Sequence, residues 1–481
     1  MYNESGGILM NICFVGSEAT PFSKTGGLAD VLGSLPSALK ALGHEVSLII
    51  PKHLSTKERF DAELKTLDTA RIPIGQKREY AGFQYMDFEG IHVYFIDSEY
   101  YFGYRENLYG DFDDGERYSY FNHAVLKLIK TLNLDVDVLH LNDWQTGLIP
   151  YILEKENPLD KRPATVFTIH NIAYQGQFDK GLIPYLNVAY DDRLEFDHGV
   201  NFLKTAIVTA DLVTTVSKTY KEELKYAYFG YGMEDLLADR GDRFKGVMNG
   251  LDYETFSPSK DPHIAKAFDL HNYIKGKTFN KTMLLKRFDL DPSEKPLFAV
   301  VSRLAEQKGM PLILKAIEPF LEKDLLRLIV LGSGDSAIED GFKALKNRHA
   351  EKVGIYFGYN DSLARQVYAG SDYFLMPSRF EPCGLSQLIA MRYGSLPIVR
   401  KTGGLKDSVI PYNKFTNEGT GLGFVNYDAS DLYRSVQEAL ALYEDQKAFK
   451  AIRRKAMKQR FSWEKSANEY ETLYKTILRR P

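Results

Sequence analysis

Lys24 opens the tetrapeptide KTGG shortly after an apolar run, NICFV, and the same tetrapeptide returns at Lys401 behind a second apolar run. Glycines at a strand-to-helix turn let the backbone approach a ligand, and the amides that open the following helix favour an anion. Such a turn is also a common plain connection, so the repetition carries the ligand reading. The spacing matches neither GxGxxG nor a Walker loop, which argues against NAD binding and ATP hydrolysis. In FAVVSRLAEQKG, Arg303 and Lys308 follow a strand-like run. Two fixed cations there can stabilise a departing diphosphate without a metal. In PSRFEPCGLSQL, Glu381 stands where a carboxylate can accept hydrogen bonds from sugar hydroxyls while the amides of Gly384 and Leu385 meet the ligand. HLNDWQTG and VFTIHNIAYQG likewise bring Asp143 and Trp144, and His170 and Asn171, to strand ends. The DxD tripeptides at Asp111/Asp113 and Asp135/Asp137 raise a metal-dependent alternative. In a chain this rich in acids such matches arise by chance, and no metal is expected.

Positioning these residues requires parallel strands, since ligands of open α/β sheets collect at the carboxyl ends of the strands. Short apolar runs alternate with amphipathic stretches along the chain, which predicts a doubly wound α/β architecture. The expected strands are Asn11 to Val15, Val46 to Ile50, Ile91 to Ile96, Val136 to Leu141, Thr165 to Ile169 and Leu212 to Val216 in the first half. In the second half they are Leu297 to Val301, Leu326 to Leu331, Val353 to Phe357, Tyr373 to Met376 and Leu396 to Val399. Between the sets, NGLDYETFSP has the Asn, Gly, Asp and Pro of a linker. The reading is therefore of two domains, 1–249 and 250–462, with an amphipathic segment at 463–481 crossing back onto the first. The paired KTGG turns would line a single cleft between them.

Composition narrows the class. With 61 basic and 64 acidic residues the formal charge is −3, which gives no pull towards nucleic acid or an anionic membrane. Cys13 and Cys383 are the only cysteines, so neither a disulfide framework nor a zinc cluster is indicated and a cytoplasmic location is expected. The opening residues carry no Lys or Arg before their apolar run, unlike a secretory signal. A plastid location would follow if a transit peptide preceded the sequence. The 31 Tyr and 29 Phe suit stacking on sugars as well as core packing.

Read in order, KTGGLADV, HLNDW, TIHNIAYQG, YGMEDLL, VMNGLD, VVSRLAEQKG, LGSGD, PSRFEPCGLSQL, RKTGGLKDSV and FSW run through nearly the whole chain. This series resembles the bacterial glycogen synthases and plant starch synthases. The resemblance implies the GT-B fold, two Rossmann-like doubly wound domains facing across a deep cleft. It also implies transfer of glucose from a nucleotide sugar to an α-1,4-glucan with retention of configuration, without a cofactor. Carried over by motif, it assigns Lys24, Gly26, Gly27 and Asp30 to the donor, and Arg303 and Lys308 to the diphosphate. Tyr359 would stack on the base, and Glu381 with the amides of Cys383, Gly384 and Leu385 would hold glucose. Thr402, Gly403 and Gly404 would bind phosphate through backbone amides. His170 would contact the sugar, with Asp143, Asn171 and Asn249 around it and Tyr101 and Trp144 near the acceptor. Two residues depart from the pattern: Asn142, where relatives often have His, and Ile389, where related retaining transferases often have a second glutamate. Front-face substitution is the expected mechanism, with double displacement through Glu381 or Asp143 as the alternative. ADP-glucose is the expected donor; UDP-glucose, another retaining GT-B reaction and a catalytically silent glucan-binding protein are the competing readings.

Overall fold

A computed structural model describes residues 9–479. The chain separates into two compact units, the first running to Gly250 and taking back the segment from Trp463, the second being Leu251–Ser462.

The first unit is built on a nine-stranded sheet. Its strands are β1 (Asn11–Val15), β2 (Glu45–Pro51), β3 (Lys65–Ile74), β4 (Lys77–Phe88), β5 (Ile91–Asp97), β6 (Val138–Asn142) and β7 (Ala164–Ile169). After a small three-stranded sheet of β8 (Gln177–Phe178), β9 (Glu195–Phe196) and β10 (Gly199–Asn201), the main sheet is completed by β11 (Leu212–Thr215) and β12 (Phe244–Gly246). The strand order is β12-β11-β7-β6-β1-β2-β5-β4-β3. Strand β1 pairs in parallel with β2 on one side and β6 on the other, so the winding reverses between β1 and β6. That reversal opens a crevice at the carboxyl ends of the two strands. Val15 and Asn142 are the residues that border it.

The pair β3 and β4 lies in a stretch for which the sequence predicts no strand. The two are antiparallel and joined at Gly75–Gln76, with Gly75 at φ 58°. Most of β3 is exposed at the sheet edge, so it lacks the continuous apolar run of a strand buried on both faces.

The second unit carries a six-stranded parallel sheet of β13 (Leu297–Val301), β14 (Arg327–Leu331), β15 (Val353–Tyr356), β16 (Tyr373–Met376), β17 (Leu396–Arg400) and β18 (Leu422–Phe424). Its order is β15-β14-β13-β16-β17-β18, with the reversal between β13 and β16. The loops after β13 and β16 hold Arg303, Lys308 and Glu381.

The C-terminal helix, Trp463–Leu478, buries Trp463, Ala467, Tyr470, Tyr474 and Ile477 in the core of the first unit. Steps of four and three residues put them on one helix face. Tyr474 also reaches a buried polar partner, its hydroxyl lying 2.6 Å from His140 Nδ1, while His140 Nε2 lies 2.6 Å from the Thr168 hydroxyl. Burial pushes the His140 imidazole down to about 3, so this link is made by a neutral ring.

Candidate functional site

At the switch point of the first unit the chain leaves β1 through Glu18 and reaches KTGG. Glu18 is 2% exposed, and its Oε2 accepts the Thr25 hydroxyl at 2.8 Å and the Thr25 amide. Burial raises the Glu18 pKa, opposed by its bonds to Thr25. Tyr109 closes the cluster, with its hydroxyl 2.6 Å from Thr25 Oγ1. The Thr25 amide is therefore already spent on a carboxylate. The anion site predicted for this turn retreats to the start of helix Gly27–Ala41, whose N-cap Gly26 supplies no side-chain cap. Lys24 and Asp30, both assigned to the donor, pair with each other at 2.6 Å.

Across the same crevice, Asp143 follows β6 with φ 58° and ψ 175°, a conformation that strains a residue with a side chain. Its Oδ1 accepts the His170 backbone amide at 2.8 Å. Burial pushes its carboxyl up to about 7. His170, at the end of β7, bonds through Nε2 to Asn142 Oδ1 at 2.9 Å, and burial pushes its ring down to about 3. Asn171 closes its own turn by accepting the Ala173 amide at 3.1 Å. Asn249 is buried.

In the second unit two loops are zipped together. Gly309 adopts φ 72°, and a Cβ there would stand 2.1 Å from the Pro377 carbonyl oxygen, so the loop after β13 meets the loop after β16 only because this residue is glycine. The Arg379 amide adds a bond to the Gln307 carbonyl at 2.8 Å. This contact delivers Lys308 to Glu381: Nζ lies 2.9 and 2.7 Å from the two carboxylate oxygens, and the Ser378 hydroxyl donates to Oε2 at 3.0 Å. Glu381 is 5% exposed, whereas Arg303 is exposed and makes no ion pair among the described residues. Cys383 is buried and Gly384 takes φ 71°. Gln387 Nε2 braces that loop through the Cys383 carbonyl at 3.1 Å, the Gly384 carbonyl at 2.9 Å and the Ser408 hydroxyl at 3.1 Å. Tyr359 is 78% exposed in the loop after β15.

The second KTGG turn corrects an expectation. The Thr402 amide bonds to the Arg400 carbonyl at 2.9 Å, and the Gly404 amide to those of Glu381 and Pro382 at 3.1 and 3.2 Å. A Cβ on Gly403 would come within 1.9 Å of the Glu381 carbonyl oxygen, and one on Gly404 within 2.1 Å of that of Cys383. Thr402 and Gly404 therefore do not offer amides to a phosphate. With Gly403, they let the turn pack against the backbone that carries Glu381.

Comparison with known proteins fits this geometry. A model of the starch synthase catalytic domain matches residues 11–239, and one of glycosyl transferases group 1 matches residues 284–456. A glycogen synthase of Anoxybacillus flavithermus is 43% identical over 98% of each chain. The chain belongs to the glycogen and starch synthase family. In keeping with that family, it is a retaining hexosyltransferase that extends an α-glucan. The catalytic domain of starch synthase IV from Arabidopsis thaliana superposes with a TM-score of 0.89 at 32% identity, covering 98% of this chain and 100% of that one. The fold is GT-B. A sucrose-phosphate synthase from Thermosynechococcus elongatus shares it at a TM-score of 0.61 and 18% identity, covering 97% of this chain and 98% of that one. Among the described residues, no helix is long and apolar enough to cross a membrane.

Two acceptor assignments by motif do not survive the structure. Tyr101 is fully buried and its hydroxyl donates to Glu116 at 2.7 Å. Trp144 is 7% exposed and packs against Tyr118, Phe178 and Phe202. Both are core aromatics of the first unit. The acidic tripeptides are engaged by cations: Arg105 pairs with Asp111 and Asp113, Arg117 with Asp111, and Lys161 with Asp135 and Asp137. Sequence reasoning missed Glu18, Ser378 and Gln387 as supports. All three lie in or beside the quoted motifs, but their partners are fixed only by tertiary contact.

Proposed function

We propose that the donor is ADP-glucose, and that glucose passes to the non-reducing end of an α-1,4-glucan by front-face substitution without a metal or other cofactor. The observation that carries this reading is the Lys308–Glu381–Ser378 cluster at a switch point, with Arg303, which makes no ion pair among the described residues, in the same loop as Lys308. Arg303 and Lys308 would neutralise the diphosphate as its charge develops, when such charges count most. Glu381, once Lys308 turns to phosphate, would accept hydrogen bonds from glucose hydroxyls, with the amides of Cys383, Gly384 and Leu385 beside it. The departing diphosphate would take the proton of the attacking hydroxyl. The carboxylates that double displacement would need are both engaged, Glu381 by Lys308 and Ser378 and Asp143 by the His170 backbone. That favours the front-face route.

For the base, the support is likeness: the starch synthase IV structure is described as bound to ADP and acarbose. Tyr359 would stack on the adenine, while Lys24, Gly26, Gly27 and Asp30 meet the donor and Asn171 and Asn249 flank the sugar. With its thiols reduced, the protein would work in the cytoplasm.

Assaying ADP-glucose and UDP-glucose side by side, with maltooligosaccharide acceptor and with or without EDTA, tests the reading. Faster turnover of ADP-glucose, unaffected by EDTA, is expected. A preference for UDP-glucose, or a loss restored by Mg²⁺ or Mn²⁺, would overturn it. No turnover with either donor despite retention on a glucan column would make the chain a silent binder. Separately, His170→Ala should remove most transfer while calorimetric ADP affinity stays largely intact. Equal loss of both would place His170 outside the sugar contact.

A further inference from the structure

We infer that Asn142 is a positioning residue that holds His170 in the tautomer protonated at Nε2, so that His170 meets its sugar hydroxyl as a hydrogen-bond acceptor through Nδ1. Asn142 ends β6 and is 1% exposed. Its Nδ2 lies 3.1 Å from the Val15 carbonyl oxygen and 3.2 Å from that of His140. Carbonyl oxygens only accept, so the amide nitrogen must face them; a flipped amide would set oxygen against both. Its Oδ1 is thereby turned to His170 Nε2 at 2.9 Å. An amide oxygen cannot donate, so the proton of that bond belongs to Nε2. A neutral imidazole carries one N–H, and Nδ1 is left as a lone pair with no hydrogen bond among the described residues.

The surroundings keep the ring neutral. Asp143 spends Oδ1 on the His170 backbone amide rather than on the ring, and buried His140, near enough to act on His170, is itself neutral. Burial pushes His170 down to about 3, so no second N–H appears at working pH. A neutral His170 therefore accepts from the sugar and does not donate to it. A hydroxyl can bind Nδ1 only by giving its own hydrogen, and an analogue with fluorine or a methyl ether in its place has none to give.

The inference rests on the reading of His170 as a sugar contact, but its test does not. Nitrogen-correlated NMR of the full chain labelled at its ten histidines, with the His170 signals assigned by their loss in His170→Ala, reads the tautomer without substrate. Between pH 6 and 8 we expect an unprotonated Nδ1 and a protonated Nε2. A protonated Nδ1 would overturn the inference whatever His170→Ala does to activity. In Asn142→Leu the signals should move towards a mixture of tautomers, and kcat should fall about tenfold with the ADP-glucose KM little changed, as for one misdirected hydrogen bond. Asn142→Asp keeps an acceptor beside Nε2. Its second oxygen faces the Val15 and His140 carbonyl oxygens, which favours the protonated acid, so it should keep the tautomer and recover most of kcat at pH 6 and lose kcat as the acid ionises at higher pH. A single unchanged tautomer in Asn142→Leu, or Asn142→Asp as impaired at pH 6 as Asn142→Leu, would equally contradict it.

Discussion

At Lys24 the residues KTGG stand open: Thr25, Gly26 and Gly27 are exposed, and a Cβ on Gly27 would meet nothing within 4 Å. At Lys401 the same four letters are sealed, with Thr402 fully buried and Cβ atoms on Gly403 and Gly404 driven into backbone oxygens at 1.9 and 2.1 Å. The two turns also use their amides differently. The Thr25 amide is taken by the Glu18 carboxylate, whereas the Thr402 and Gly404 amides close onto backbone carbonyls. Identical residues at equivalent places in two Rossmann-like units thus do different work: the first turn leaves room for a ligand, and the second joins its own strand to the loop that holds Glu381. Glycine is demanded by close packing in one case and permitted by open space in the other.

Substitutions should separate the two. The largest effect is expected from Gly404→Ala, which forces backbone apart and should cost about 3 kcal/mol or more, lowering Tm by about 6–12 °C and abolishing activity together. Lys308→Ala comes next, since it removes the cation paired with Glu381, whose loop the second turn braces. Turnover should fall about 10²–10³-fold, and the unpaired, buried Glu381 should cost about 1–3 kcal/mol in a urea titration. Lys24→Ala should lower kcat/KM for the donor about 10–100-fold, as for one charged hydrogen bond, with Tm within about 2 °C of wild type. The smallest effect belongs to Gly27→Ala. It should leave Tm equal or slightly raised, because alanine suits a helix better, and should raise the donor KM several-fold. A Gly27→Ala variant that unfolds, or a Gly404→Ala variant with native stability, would erase the distinction.

The sequence reveals the first of these differences poorly and the architecture well. Strands β1, β6, β7, β13, β14 and β16 are buried almost throughout and rich in apolar residues, so the parallel sheets and the residues at their carboxyl ends can be read directly. The hairpin Lys65–Phe88 cannot, because an exposed edge strand has no such run. Residue type and strand-end position pick out Lys24, Asp143, His170, Arg303, Lys308 and Glu381. They do not show that Lys308 pairs with Glu381, that Tyr101 and Trp144 turn inward, or that Glu18 takes the Thr25 amide. Those facts depend on which neighbour the fold supplies, and such neighbours lie far apart in the chain, Glu381 being 73 positions from Lys308.

Backbone hydrogen exchange, read residue by residue with and without ADP, tests the contrast between the turns most directly. The amides of Gly27, Leu28 and Ala29 should exchange readily in the free protein and slow when ADP is added. Those of Thr402 and Gly404 should be slow in both states, because their partners are carbonyls of the same unit. Fast exchange at Thr402 and Gly404 that only ADP suppresses, or indifference to ADP at Gly27–Ala29, would contradict the account.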